Sequence, residues 1–205
     1  MPTEDSGEGS LPAAIIGPIS TSEITRYFSQ RSDFTYRRLE RLNVSDTDVF
    51  RSLFTGSLIR ECVFTRVIFT RSDLDGLRAE RSTFIECNFT SCDLRSSIFT
   101  RCIFQACKFN STFIDDCEMQ GCEFTECSFE GAILSRCRFQ DTSLTACILT
   151  RGSILHNKFY NATISDMVLG DCTLLYVILR DCHLLHISIT AESVGAIFGL
   201  TKEQR

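Results

Sequence analysis

Every fifth residue from Phe34 to Ile189 is apolar, and no other feature of the chain constrains its fold as strongly. The series runs Phe34, Leu39, Val44, Val49, Phe54, Ile59, Phe64, Phe69, Leu74 and onward without a change of phase to Leu174, Leu179, Leu184 and Ile189. All 32 positions are apolar, whereas a 43% apolar composition would fill roughly fourteen of them by chance. A step of five advances an α-helix by about 500°, so helical winding would scatter these residues around the axis. An extended chain places residue i and residue i−2 on one side. All twelve Cys fall at that i−2 position: 62, 87, 92, 102, 107, 117, 122, 127, 137, 147, 172 and 182. A small residue and a large one thus share one interior, and the remaining three positions of each block face water or turn a corner. The pattern predicts a β-solenoid.

Blocks such as Ser72-Asp73-Leu74-Asp75-Gly76, Cys92-Asp93-Leu94-Arg95-Ser96 and Cys87-Asn88-Phe89-Thr90-Ser91 resemble those of the pentapeptide-repeat proteins. The resemblance covers residues 32–191. It implies an all-β fold, a right-handed quadrilateral parallel β-helix in which four blocks make one coil of twenty residues. Thirty-two blocks then give eight coils, and a strand spacing of about 4.8 Å makes a rod roughly 38 Å long. Phe64, Phe84, Phe104 and Phe124 would stack as one inner ladder, and Phe69, Phe89, Phe109 and Phe129 as another. Each buried Phe is worth about 1.5–3 kcal/mol, added coil by coil.

The open ends of such a rod require caps. Residues 1–19 read as an acidic flexible leader and residues 20–31 as an N-terminal cap, with a short helix over 21–30 that offers Ile24, Tyr27 and Phe28 to the first coil. Residues 192–205 read as a C-terminal cap or dimerisation segment. A second helix is expected over 191–200, with Val194, Ile197 and Phe198 toward the last coil.

The chemistry-bearing residues point away from catalysis. The twelve Cys share one inward phase, as buried free thiols used as small hydrophobes would. Cys87, Cys107, Cys127 and Cys147 would form a column, as would Cys102 and Cys122, and parallel stacking holds their Cβ atoms too far apart for unstrained disulfides. Spacings such as Cys102 to Cys107 are not those of zinc modules. His156, His183 and His186 are the only histidines and occupy outward positions. No phosphate-binding loop, Ser-His-Asp set or His-Glu-x-x-His sequence occurs. The reading is therefore a protein that is not an enzyme, with no catalytic residues, no cofactor and no metal. No stretch approaches the eighteen apolar residues of a membrane-spanning helix, and the polar start Met1-Pro2-Thr3-Glu4-Asp5 lacks the pattern of a secretory signal, so the expected location is cytoplasmic.

Charge is uneven along the chain. Residues 26–101 carry 13 Arg against 10 acids, and residues 102–191 carry 6 bases against 10 acids. In the second half Asp115, Asp116, Glu118, Glu123 and Glu126 form a candidate acidic face. Pairs twenty residues apart, such as Glu61 with Arg81, are expected across adjacent coils. Apolar residues stand at outward positions near the C-terminal end: Leu155, Tyr160, Leu175, Tyr176, Ile178 and Leu185, together with Ile148 and Val168. With Val194, Ile197 and Phe198 they make a candidate surface for a partner or for a homodimer through the C-terminal end. The function expected is a protein-binding scaffold whose walls present regularly spaced side chains to another protein. Some relatives in the resembled family imitate DNA, bind DNA gyrase or related type II topoisomerases, and confer quinolone resistance, which is the alternative. That mimicry requires acidic walls, and the N-terminal half is net positive. Direct nucleic-acid binding is disfavoured by the overall charge of −5 and by acids interleaved among the arginines, and no membrane partner is expected.

Overall fold

The structure, a computed structural model, describes residues 14–16, 21–29, 33–190, 193–194 and 197–199. The chain winds into a parallel solenoid of about eight coils whose strands pair with strands twenty residues away, as in Phe64↔Phe84 and Phe84↔Phe104. Four stacks run the length of the rod. The first wall carries centres 34, 54, 74 and so on to 174, the second 39 to 179, the third 44 to 184 and the fourth 49 to 189. No helix among the described residues is long and apolar enough to cross a membrane.

The bore is built as the periodicity requires. On the third wall Phe64, Phe84, Phe104 and Phe124 stack at 5.2, 4.9 and 4.7 Å between ring centroids. On the fourth, Phe69, Phe89, Phe109 and Phe129 stack at 4.8, 5.0 and 5.0 Å. The two ladders meet edge to face, Phe104 lying 5.5 Å from Phe109. Offset stacking and edge contacts are the arrangements that the ring quadrupole favours, so the same residues that fill the bore also fix its register.

The small inner position asks for more than small size. In many blocks its side chain donates to the carbonyl of the residue 23 positions earlier, one coil back: Cys92 Sγ to Phe69 O at 3.0 Å, Ser97 Oγ to Leu74 O at 2.8 Å, Thr112 Oγ1 to Phe89 O at 2.7 Å and Asn157 Nδ2 to Leu134 O at 2.8 Å. Where they make this bond, Cys, Ser and Thr tie a coil to its predecessor, a role that Ala cannot fill. All twelve thiols are free.

The corners carry a second regularity. At every fifth residue from Tyr36 to His186, 31 positions in all, φ lies between 47° and 65°. Four of these are Gly (56, 76, 121 and 131) and 27 are not. A left-handed residue costs an L-amino acid roughly 1–2 kcal/mol, so each corner is held by the hydrogen bonds on either side of it. Arg81 at such a corner donates to Glu61 at 2.7 Å, the pair expected from sequence, and Arg66 pairs in the same way with Asp46 at 2.6 Å.

At the N-terminal end β1 (Ala14–Ile16) pairs with β2 (Arg38–Glu40), which places Ile15 against Leu39 at 2% exposure. These residues extend the second wall backwards, so the leader expected over residues 1–19 does not hold for them: Ala-Ile-Ile satisfies the unpaired edge of the first coil. Residues 1–10 lie outside the described residues. The expected cap helix forms as α1 (Thr21–Ser29), whose Phe28 stacks on Phe34 at 4.7 Å and closes the bore. The side chain of Ile24 lies outside the described residues.

The helix expected over 191–200 is not formed in its described residues. Ser193–Val194 and Ile197–Phe198 are strands that pair with Thr173–Leu174 and Val177–Ile178. Val194 keeps the five-residue phase of Leu174, and the edge of the preceding coil templates extended chain there more strongly than local preference favours a helix.

Candidate functional site

The solenoid sorts outward residues into columns twenty apart, and columns decide which of the candidate residues meet. Leu155 and Leu175 are register partners on the first wall. The next residue of each block is the left-handed corner, and there the His156 and Tyr176 rings stack at 4.8 Å with planes 13° apart. Around the corner, Lys158 pairs with Ile178, and Ile178 with Phe198, along the second wall. Tyr176 is 52% exposed and Phe198 55%, so both rings present most of a face to solvent.

These side chains border an open groove of about 680 Å³ lined by Asp116, Arg136, His156, Lys158, Tyr176, Ile178 and Phe198. Its lining carries the carboxylate of Asp116 and the cation of Lys158, and further cations stand beside it on the second wall. Tyr160, on the second wall beside Lys158, carries the Arg138 guanidinium over its ring at 4.6 Å and that of Arg180 at 5.9 Å. The chain has no Asp or Glu between 142 and 165 or between 172 and 180. Among the described residues Lys158, Arg138 and Arg180 have no carboxylate partner, whereas Arg136 is neutralised by Asp115.

The remaining candidates separate. Leu185, 54% exposed, lies on the third wall, across the rod from Leu155 and Leu175. Ile148 and Val168, at 46% and 40%, stand together on the fourth. Ile197 takes the inward register of Val177, whereas Phe198 is exposed on the outer surface. The side chain of Val194 lies outside the described residues.

The acidic candidates do not form a stripe along the rod. Asp115, Glu118 and Glu123 sit in strands of three different sheets. Asp116 marks the corner between the first two, and Glu126 the corner after the third. The five girdle one coil. His183 and His186 do not converge on a third ligand; His186 Nδ1 meets Asp166 at 3.1 Å, and no group of three His, Cys, Asp or Glu among the described residues is placed to hold a metal.

Sequence reasoning missed His156, Lys158 and Arg138 as members of the surface. The signal was present, since His156 precedes Tyr176 by twenty residues and Lys158 precedes Ile178 by twenty. Segment sums of charge conceal such columns.

The family model described as pentapeptide repeats (8 copies) matches residues 80–116 and 114–151. No curated protein matches the chain. Among solved structures, full-length QnrB1, a plasmid-mediated fluoroquinolone resistance protein, shares 17% identity over 72% of this chain and 91% of its own, with a TM-score of 0.46. HetL, a pentapeptide-repeat protein involved in heterocyst differentiation regulation from the cyanobacterium Nostoc, shares 12% over 85% and 94%, with a TM-score of 0.36. Rfr23, a pentapeptide-repeat protein from the cyanobacterium Cyanothece, shares 14% over 86% and 99%, with a TM-score of 0.35. None of these likenesses transfers a function.

Proposed function

We propose that this chain, which carries pentapeptide repeats, is a non-enzymatic scaffold that binds an acidic segment of another protein along the corner between its first and second walls. The observation that supports this reading is the unbroken adjacency of Leu155, Leu175, the His156–Tyr176 stack, Ile178, Phe198 and the unpaired Lys158. Apolar and aromatic anchors rimmed by charge are the usual composition of a binding hot spot. The Lys158 and Arg138 cations, without carboxylate partners among the described residues, favour an acidic partner.

Selection of twelve-residue displayed peptides on the immobilised protein tests the reading. Enriched peptides should carry Asp or Glu among apolar residues, and should bind the triple variant Lys158→Glu, Tyr176→Ala, Phe198→Ala at least tenfold more weakly. Peptides that bind both proteins equally well would reject it. The alternative, imitation of DNA toward gyrase, calls for acids aligned along the rod, and here they ring one coil. A supercoiling assay with and without a fluoroquinolone decides it. Inhibition or drug protection that vanishes when Asp115, Asp116, Glu118, Glu123 and Glu126 are neutralised would replace the scaffold reading with the mimic.

A further inference from the structure

The docking corner lies in one register column with the strand that opens the described chain. Ala14 of β1 pairs with Arg38, and the column continues strand by strand through Arg78, Glu118 and Arg138 to Lys158. From Ala14 it is six steps to Arg138 and seven to Lys158, roughly 29 and 34 Å at about 4.8 Å per step. Arg38 follows the left-handed corner at Tyr36, and parallel pairing sets Ala14 on that same side of the wall. Past Tyr36 this corner is low, with Gly56, Gly76 and Ser96 in succession before Asp116, Arg136 and His156.

The residues before β1 complement this column in sequence. Residues 4–11 read Glu-Asp-Ser-Gly-Glu-Gly-Ser-Leu, with three acids and no base. An extended chain advances about 3.3 Å per residue, so from Ala14 it is about 30 Å to Asp5 and about 33 Å to Glu4. Laid along the column, such a chain brings Asp5 to the level of Arg138 and Glu4 to that of Lys158. Leu11 falls beside Leu58, and Glu8 beside Ile98, one step from Arg78. Glu118, the one acid of the column between Ala14 and Lys158, meets the uncharged Gly7. Arg78, Arg138 and Lys158 are exposed, and none of them is in an ion pair among the described residues. The nearer cations of this wall are engaged, Arg38 by Glu40 and Arg60 by Glu80. A tether of this length holds its acids at an effective concentration on the order of millimolar. We propose that the chain's own segment Glu4–Leu11 lies along this column and occupies the docking corner, Asp5 and Glu4 against Arg138 and Lys158, so that a partner binds by displacing it. The inference rests on the reading of the corner as a site for acidic segments.

Photo-crosslinking within the purified full chain tests this with no partner present. A benzoylphenylalanine at Thr3 should give intramolecular adducts that peptide mapping places between residues 136 and 178, in a yield independent of protein concentration. The same probe at Ser10 should map between residues 36 and 78 instead. Arg138→Glu with Lys158→Glu should lower the Thr3 adduct about fivefold or more and leave the Ser10 adduct unchanged. Thr3 adducts on the first two coils, no Thr3 adduct, or one indifferent to the charge reversal would overturn the proposal. A yield that rises with concentration would overturn it in favour of the segment of a second copy. For peptides selected on the corner, Glu4→Gln, Asp5→Asn and Glu8→Gln together should tighten binding about threefold or more. Peptides that bind both chains equally, beside a silent Thr3 probe, would sink this inference and leave the docking corner standing. Failure to select any peptide on either chain would instead remove the reading beneath it.

Discussion

Phe104 lies 4.7 Å from Phe124 with the two rings 7° from parallel, while its edge meets Phe109 at 5.5 Å. One side chain thus closes contacts along the rod and across it, and the same arrangement recurs one coil earlier at Phe84. Phe104→Ala should therefore cost about 3–5 kcal/mol, the range for a fully buried aromatic whose site cannot collapse. Phe104→Leu should keep more than half of that. Urea denaturation followed by far-ultraviolet circular dichroism reads both, and a loss under about 1 kcal/mol for the Ala variant would show that the ladder is not what holds the coils in register.

Burial pushes the Cys92 thiol up to about 12 and the Cys62 thiol up to about 11. A raised value in the folded state means that the folded protein binds the proton more tightly than the unfolded chain, whose thiols titrate near 8.5. The stability these thiols contribute is complete below about pH 8.5 and is lost as the pH rises through the folded values. The urea midpoint should accordingly fall between pH 8.5 and 11, and Cys62→Ser with Cys92→Ser should flatten the slope while retaining the donors to Leu39 O and Phe69 O. An unchanged slope in the double variant would refute this assignment.

Glycine matters here at an inner site as well as at the corners. A Cβ on Gly152 would lie 2.5 Å from the carbonyl oxygen of Ala132, one coil back, and backbone cannot step aside. Gly152→Ala should cost about 1–3 kcal/mol, the range for overpacking. At the corners glycine is favoured for a different reason, the left-handed backbone. Ala106, at φ 51°, pays the left-handed penalty without a compensating side chain, and Ala106→Gly should stabilise by about 0.5 kcal/mol. Thermal unfolding of the two variants checks the pair of signs.

How far these features can be read from residues alone depends on whether a single residue type marks them. The centres were legible because each must be large and apolar, and Phe34 to Ile189 never breaks that demand. The left-handed corners were not, because hydrogen bonds rather than residue type impose the angle: Arg81, Glu86, Ser91 and Ala106 all adopt it. The donor role of the inner position hid behind the reading of Cys as a small hydrophobe, although Ser97, Thr112 and Asn157 in the same phase carried the hint. The C-terminal helix was expected from a local apolar pattern, while Val194 was still in phase with Leu174. Of the proposed interaction surface, the apolar half was visible, whereas Lys158 and His156 emerge only when residues are aligned by twenty.

Photo-crosslinking in cells tests the docking corner most directly. A benzoylphenylalanine placed at Tyr176 should yield a discrete adduct with one acidic protein, and the adduct should disappear with Lys158→Glu in the same chain. The same probe at Ile103, 41% exposed on the third wall, should not yield it. An adduct of equal intensity from Ile103, or one indifferent to Lys158→Glu, would contradict a scaffold that binds through the corner of Leu175, Tyr176 and Ile178.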